Sequence, residues 1–301
     1  MSNEALLKPN PWRDYWELCK PRVVALMLIT AWVGMLLASP PNTFPWQAFC
    51  FGTFGIASCA GCAAAINHLV ERHIDVHMRR THNRPIASGR IHPKQALMFS
   101  FLLGGLGLFV LSVWVNPLTA WLTLISLVGY ALFYTVFLKR ATPQNIVIGG
   151  AAGAAPPLLG WTSVTGTLDP FGLLLVLIIF AWTPPHFWAL AIYRREDYAK
   201  AQLPMLPVTH GIPFTKFCIL LYTILLLATT LLPYITGMSG IAYLICAVGL
   251  GLGFLYYCIQ LYRKEDPIIA LHTFRYSIVY LLALFVGLLL DHYLVALKSV
   301  M

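Results

Sequence analysis

The chain alternates long apolar blocks with short polar segments over most of its length. Most of these blocks are close to the roughly 20 residues that a helix needs to cross the hydrocarbon layer of a membrane, where each backbone polar group must be paired within the segment. The pattern predicts an all-α, polytopic membrane protein, with nine transmembrane helices in one domain over residues 1–301 and a short N-terminal segment over residues 1–20. The predicted spans are 23–38, 49–69, 96–115, 118–138, 145–161, 171–192, 217–235, 241–262 and 274–297.

Composition and charge agree with this interpretation. Hydrophobic residues make up 59% of the chain and charged residues only 10%, which excludes an ordinary soluble domain. Nineteen of the 20 Lys and Arg residues fall in the segments of one side, and only Lys298 falls on the other. Because basic loops stay in the cytoplasm, we expect the N-terminus there and the C-terminus outside. This orientation and the lipid bilayer account for the net charge of +9 without a nucleic acid partner.

The start of the chain bears on the membrane it enters. A long polar segment that contains tryptophan precedes the first apolar block, and no cleavage site for a signal peptidase follows that block. An Arg-rich, acid-poor transit peptide is not evident either. These features favour the plasma (inner) membrane of a bacterium over an organelle.

A stripe of oxygen-bearing side chains continues out of the second predicted span. Asn67, Glu71 and Asp75 are four residues apart and therefore share one helix face. Carboxylate oxygens are preferred by Mg²⁺, which keeps phosphate oxygens of a substrate in its shell. Guanidinium groups suit phosphate as well, and three follow on the chain. These cations are Arg79, Arg80 and Arg84.

The same residues allow a second interpretation, a solvated run of charges beside the membrane. We favour the first, because carboxylates at strict spacing at the end of an apolar helix are costly and tend to be functional. The stripe is therefore a candidate site for a diphosphate held through magnesium. Histidines beside the arginines, such as His73, either meet a substrate or are merely solvated.

Two further segments carry candidate chemistry on the same predicted side. After the sixth span, Tyr193 and Asp197 are four residues apart, and Asp197 is the candidate for a second metal-binding position. His186 lies in an otherwise apolar stretch, where it either contacts a polar ligand or is hydrogen-bonded to another helix. The third segment carries Tyr134 and Lys139, and Lys139 is either a diphosphate contact or an ordinary anchor at the membrane surface.

These motifs resemble a known family. The pattern Asn67-x3-Glu71-x3-Asp75, the strip Tyr134-Thr135-x3-Lys139-Arg140 and the acidic loop after the sixth span are similar to the intramembrane, UbiA-like polyprenyltransferases. Within that superfamily, three stretches resemble the haem O synthases in particular. They are the motifs within 78–85, 145–161 and 184–207, the last including Pro184-Pro185-His186-Phe187-Trp188.

The resemblance implies an Mg²⁺-dependent transfer of the farnesyl group of farnesyl diphosphate to a vinyl group of protohaem IX (haem B), with addition of water to give haem O. It implies Asn67, Glu71, Asp75 and Asp197 as metal ligands, and Lys139, Tyr134 and His186 as further catalytic residues. Haem A synthase or assembly proteins of terminal oxidases are the implied protein partners. The implied contacts to diphosphate or haem are Arg79, Arg80, Arg84, Arg194, Tyr193, Lys200, Asn145 and His73.

The sequence departs from the family at several positions, among them His73, where another acid is common, and two departures bear on the metal site. Glu71 stands where Asp is more usual, which preserves a carboxylate with a longer reach. Tyr193 stands where relatives that prenylate aromatic acids have Asp, so we expect the second metal position to be weaker than the first. Two alternatives stay open: a membrane prenyltransferase with another aromatic or chlorin acceptor, and a transporter whose intramembrane acids mark an ion path. Acids at one membrane face argue against the transporter, since transporters usually bind near mid-depth.

Overall fold

Prolines and polar caps set where the helices begin. The computed structural model describes residues 11–76, 81–264 and 266–300, with only the backbone described for Arg140 and residues 296–300. The side chain of Asn116 accepts a hydrogen bond from the backbone N–H of Thr119 at 2.8 Å, and such caps satisfy donors that the first turn leaves free. In chain order the helices are α1 Pro11–Leu18, α2 Pro21–Leu37, α3 Thr53–Asp75, α4 Pro93–Trp114, α5 Pro117–Val128, α6 Lys139–Ala141, α7 Asn145–Gly153, α8 Pro156–Thr165, α9 Pro170–Tyr193, α10 Arg195–Lys200, α11 Leu206–Thr209, α12 Gly211–Ile235, α13 Ile241–Arg263 and α14 Pro267–Val300.

The prediction of an all-α, multi-pass membrane protein is confirmed. In the described residues, seven helices are long and apolar enough to cross a membrane, and an eighth is counted if α1 and α2, which meet at 49°, form one span. The predicted span 145–161 differs, since it consists of α7 and α8 with a break at Ala154 and Ala155. Pro156 opens α8 and has no N–H to continue the ladder of α7, so the predicted number of nine is approximate.

Two helices contain wider, π-helical turns. One precedes α3 at Ala48–Gly52, and the other continues α5 over Gly129–Leu138. In the second, the hydroxyl of Thr135 donates to the carbonyl of Tyr130, five residues earlier, at 2.8 Å. Such turns are frequent at functional sites, and this one leads directly to Lys139 at the start of α6.

Close packing of backbones joins α2 to α8. A Cβ atom added at Gly160 would lie 1.9 Å from the carbonyl oxygen of Ala31, and one at Gly34 would lie 2.0 Å from that of Pro157. Small residues that bring backbones together are typical of helix contacts within membranes. The contact fixes the position of α8, and with it one wall of the interior described below.

Helix α9 is the centre of the larger core. It stays continuous through Pro184 and Pro185, and Trp188 is only 1% exposed. Trp182 donates its indole N–H to the carbonyl of Ser277 on α14 at 2.8 Å. These contacts hold α9 against α14 along the segment that the sequence singled out.

Candidate active site

The acidic stripe lies at the end of α3 and is buried. Asn67 is 3% exposed, Glu71 5% and Asp75 2%. The amide of Asn67 donates from Nδ2 to Glu71 Oε1 at 2.9 Å and lies 3.4 Å from Thr135 Oγ1. The four-residue spacing therefore places the three side chains on one face, against the π-helical turns that follow α5.

Three cations surround the two carboxylates. Arg84 Nη1 lies 2.8 Å from Asp75 Oδ1 and 2.7 Å from Oδ2, and 3.5 Å from Glu71 Oε2. Lys139 donates to Glu71 Oε1, and Lys20 donates to Asn67 Oδ1. These five groups carry three positive charges and two negative ones, so the cluster has a net positive charge. Such an excess favours an anionic ligand.

Lys20 is the site residue that sequence reasoning missed, since it was counted only among the basic residues that set orientation. It lies in the break between α1 and the first span, with φ 50° and ψ 58°. A left-handed conformation costs a non-glycine residue about 1–3 kcal/mol and persists where surrounding structure imposes it. Burial and, second, the positive charge of Arg84 lower the pKa of the Lys20 ammonium to about 7. Its place directly before Pro21, where a span begins, was the available signal.

An apolar chamber lies beside the stripe, within the bundle. Its volume is about 320 Å³, at the small end of the range for ligand cavities. Lys20 and Tyr134 line it on the side of the stripe, and Tyr130, Trp182 and Phe187 add aromatic surface. The rings of Tyr130 and Tyr134 stack with centroids 5.5 Å apart. The chamber can hold an apolar chain whose charged end reaches the cations.

Asn145 positions the segment that carries Lys139. Asn145 is fully buried, and its Nδ2 donates to the carbonyl of Thr142 at 2.8 Å and to that of Lys139 at 3.4 Å. Its Oδ1 has no hydrogen-bond partner within the described structure. Asn145 therefore fixes the turn after Lys139 and leaves one acceptor available.

The second acidic segment is more open. Tyr193 at the end of α9 and both Asp197 and Lys200 on α10 are exposed, and Arg194 between these helices is half-buried. Tyr198 on α10 interacts electrostatically with Tyr134, which lines the chamber. This segment therefore approaches the chamber. No group of three or more His, Cys, Asp and Glu side chains that could hold a metal occurs among residues 11–76, 81–264 and 266–300. The structure therefore does not bring Asp197 into the cluster.

Two other predicted residues, His73 and His186, lie outside the cluster. His73 is exposed near the end of α3. His186 is 8% exposed, and its Nδ1 lies 2.7 Å from Ser277 Oγ on the α14 side of α9. Its ring stacks on Trp182, which does line the chamber. Arg79 and Arg80 lie outside the described residues.

The chemistry of the stripe fits magnesium. Two buried carboxylates and an amide oxygen are hard donors of the kind that Mg²⁺ prefers. Each of these oxygen-bearing groups is already engaged by an ammonium or guanidinium group. A dication would therefore compete with those cations for the same groups, and a diphosphate would give any displaced cation a new partner.

The comparisons with known proteins place the chain in a class of membrane enzymes. Residues 27–282 match the UbiA prenyltransferase family, and the chain belongs to that family. Within it, the chain is 62% identical to the protohaem IX farnesyltransferase of Teredinibacter turnerae over 293 residues, which are 97% of this chain and 94% of that one. It is 64% identical to protohaem IX farnesyltransferase 1 of Pseudomonas fluorescens over 283 residues, 94% of each chain.

Solved structures share the fold at low sequence identity. A structure described as that of digeranylgeranylglyceryl phosphate synthase has a TM-score of 0.79 at 20% identity, covering 94% of this chain and 98% of its own. A UbiA homologue from Archaeoglobus fulgidus bound to GPP and Mg²⁺ has a TM-score of 0.61 at 15% identity, covering 91% and 99%. These likenesses concern the fold alone.

Proposed function

We propose that this protein transfers the farnesyl group of farnesyl diphosphate to a vinyl group of protohaem IX, with addition of water, and so makes haem O. The observation that carries the proposal is the junction of a buried cluster of carboxylates and cations with an apolar chamber. The close relatives, which are protohaem IX farnesyltransferases, support the choice of substrates.

The cluster would bind and activate the diphosphate end. Asn67, Glu71 and Asp75 would hold magnesium, and Asp197, which lies outside this cluster, stays a predicted further ligand. Magnesium when bound supplies Lewis-acid stabilisation of the charge that develops on the leaving diphosphate. Lys20, Lys139 and Arg84 would donate to the phosphate oxygens, and these preorganised charges are most effective in a site that excludes water.

Diphosphate leaves with the electron pair of its C–O bond, so the farnesyl chain becomes an allylic cation. Tyr130, Tyr134, Trp182 and Phe187 line the chamber that would hold the chain. Their π-faces stabilise positive charge, and their bulk keeps water away until the vinyl carbon attacks. The chamber is too small for a tetrapyrrole beside a farnesyl chain, so the haem would present its vinyl group from the mouth.

Attack by the vinyl group forms the new C–C bond and leaves a cation next to the porphyrin ring, which water captures with loss of a proton. The residue that takes the proton stays a prediction between a carboxylate and His186. Glu71 is hydrogen-bonded to Asn67, whose partner Lys20 lines the chamber, whereas His186 lies on the α14 side of α9. Arg79, Arg80, Arg194, Tyr193, Lys200 and His73 stay predicted contacts to diphosphate or haem.

The proposal extends to the location of the protein. The protein would lie in a bacterial inner membrane, and the distribution of Lys and Arg supports an N-terminus and active site on the cytoplasmic side with the C-terminus outside. Haem A synthase and the assembly proteins of terminal oxidases stay predicted partners, since both would handle the same lipophilic haem.

The test uses purified protein in detergent with protohaem IX, farnesyl diphosphate and Mg²⁺, followed by haem mass and diphosphate release. We expect a product heavier by one farnesyl and one hydroxyl group, which is lost without Mg²⁺ and in Asp75→Ala. Asp14→Ala is the matched control, since Asp14 is also buried and paired with an arginine, Arg90, but lies on α1. Diphosphate release with unchanged haem would indicate another acceptor. No release at all would favour the transporter.

A further inference from the structure

We infer that the blind end of the chamber, formed by Ile56, Thr123 and Leu159, sets the length of the prenyl chain that the protein accepts. The inference rests on the proposed function, because it assigns the chamber to the prenyl group of the diphosphate. It adds a specificity determinant that lies far from the charged cluster. The three residues belong to α3, α5 and α8, and each is at most 4% exposed.

The distance from the charged cluster to the floor of the chamber matches a farnesyl chain. Ile56 and Asn67 both belong to α3 and are eleven residues apart, which corresponds to about 16 Å along the helix axis. A farnesyl group has twelve carbons in its main chain, and at about 1.3 Å of advance for each bond it extends roughly 14 Å. With C1 just below Asn67, the last isoprene unit reaches Ile56. A chain one isoprene unit longer would not fit.

The chamber stops at the same level on neighbouring helices. On α2, Met27 lines it, but Ala31 one turn further from Lys20 does not. On α5, Thr123 lines it, but Ala120 does not. The side walls therefore end together, which gives the chamber a floor.

A packed group of side chains lies beyond that floor, and we call it the distal cluster. Its buried members are Ala31, Met35, Ile56, Cys59, Leu111, Ala120 and Leu159. Ile56, Cys59 and Leu159 belong to both the chamber wall and this cluster. Because such cores are close-packed, a longer chain would enter only by displacing side chains, which is unfavourable.

The wall between the floor and the charged cluster is made of small residues on α3. Ala60, Ala63 and Ala64 line it, and Ala60 is seven residues from Asn67, about 10 Å along the axis. A larger side chain at Ala60 would shorten the chamber to roughly two isoprene units. The same geometry thus predicts changes of selectivity in both directions.

A substitution at Thr123 can distinguish the effect of side-chain volume on chain-length selectivity from the effect of polarity. Its hydroxyl has no hydrogen-bond partner among the described residues. Thr123→Val keeps the volume and removes the hydroxyl. If length is set by space alone, this variant keeps the selectivity of the unaltered protein.

The experiment is a competition among geranyl, farnesyl and geranylgeranyl diphosphate at equal concentrations, with protohaem IX and Mg²⁺. The ratios of prenylated haems are read by mass. We expect Ile56→Ala and Leu159→Ala each to raise the ratio of geranylgeranyl to farnesyl product about tenfold or more, the range found when a pocket gains or loses a methylene group. Ala60→Leu should shift the products towards geranyl by a similar factor.

The matched control is Leu111→Ala. Leu111 is fully buried in the distal cluster but does not line the chamber. This variant should therefore lose as much packing as the enlarging variants do, but we expect its product ratios to stay unchanged. The inference is overturned if the enlarging variants fold and keep the original ratio, or if Leu111→Ala shifts the ratio equally. Release of diphosphate from each substrate is recorded in parallel. Selectivity is then still measured if haem is not the acceptor, which separates failure of the chamber assignment from failure of the proposed function.

Discussion

Arg84 and magnesium should compete for the same carboxylates. Arg84→Ala removes the guanidinium group that contacts both oxygens of Asp75 and lies 3.5 Å from Glu71. The two carboxylates are at most 5% exposed. Removing one partner of a buried pair costs about 3–5 kcal/mol, and the partial exposure of the Arg84 side chain, 16%, favours the lower end. At 2–4 °C for each kcal/mol, a loss of about 3 kcal/mol lowers Tm by roughly 6–12 °C.

Magnesium should reverse most of this loss. A ligand present at about 100 times its Kd stabilises the folded state by about 2.7 kcal/mol, close to the stabilisation that Arg84 supplied. In the unaltered protein Mg²⁺ must first displace Arg84, so it should raise Tm less. The assay is thermal unfolding in detergent with EDTA and across a Mg²⁺ titration. Activity should stay low in Arg84→Ala even at high Mg²⁺, because Arg84 would also contact the diphosphate.

Arg90→Ala is the matched control for this prediction. Arg90 Nε lies 2.9 Å from Asp14 Oδ1, but its side chain is 39% exposed. Because its arginine is exposed, this pair should contribute less than a fully buried pair does, and we expect no effect of Mg²⁺ on this variant beyond that on the unaltered protein. The reasoning is refuted if Mg²⁺ stabilises Arg84→Ala no more than it stabilises the unaltered protein.

Three further predictions concern ligand coupling and folding. Mg²⁺ and inorganic diphosphate should each tighten the binding of the other at least about fivefold, as measured by calorimetry. The reason is that diphosphate gives new partners to the cations that Mg²⁺ displaces. Binding of each ligand with an affinity independent of the other would contradict this. Gly160→Ala should abolish the yield of folded protein in detergent, since the new Cβ would lie 1.9 Å from the carbonyl oxygen of Ala31, and a normal yield would show that α2 and α8 can separate. Asp291 accepts hydrogen bonds from the backbone of Gly240 and Tyr243 at the start of α13. Asp291→Ala should destabilise the protein by about 1–3 kcal/mol for each donor left unpaired, and an unchanged Tm would exclude this capping role.

The fold was largely predictable, because a membrane leaves few solutions to a chain of apolar blocks. Hydropathy located the long apolar helices but did not detect the break between Gly153 and Pro156, since the residues on both sides are apolar. The bend between α1 and α2 could not be predicted from hydropathy either. Its residues look like an ordinary polar segment before a span.

The site was predictable where it depends on local spacing. Asn67, Glu71 and Asp75 share a face because residues four apart on a helix do so. The contact between Lys139 and Glu71 joins residues 68 positions apart, and no local pattern specifies such a pair. The same holds for Lys20 and Asn67. The chamber floor could not be predicted from the sequence for a similar reason, since it depends on where α3, α5 and α8 meet.

Reaction in water enriched in ¹⁸O tests the central claim most directly. Protohaem IX, farnesyl diphosphate and Mg²⁺ are incubated with the protein, and the haem product is analysed by mass. A cation formed beside the porphyrin and captured by solvent predicts a product that gains farnesyl plus one hydroxyl group whose oxygen is ¹⁸O. A farnesylated haem without the added oxygen, or with unlabelled oxygen, would contradict the proposed sequence of ionisation, vinyl attack and capture by water.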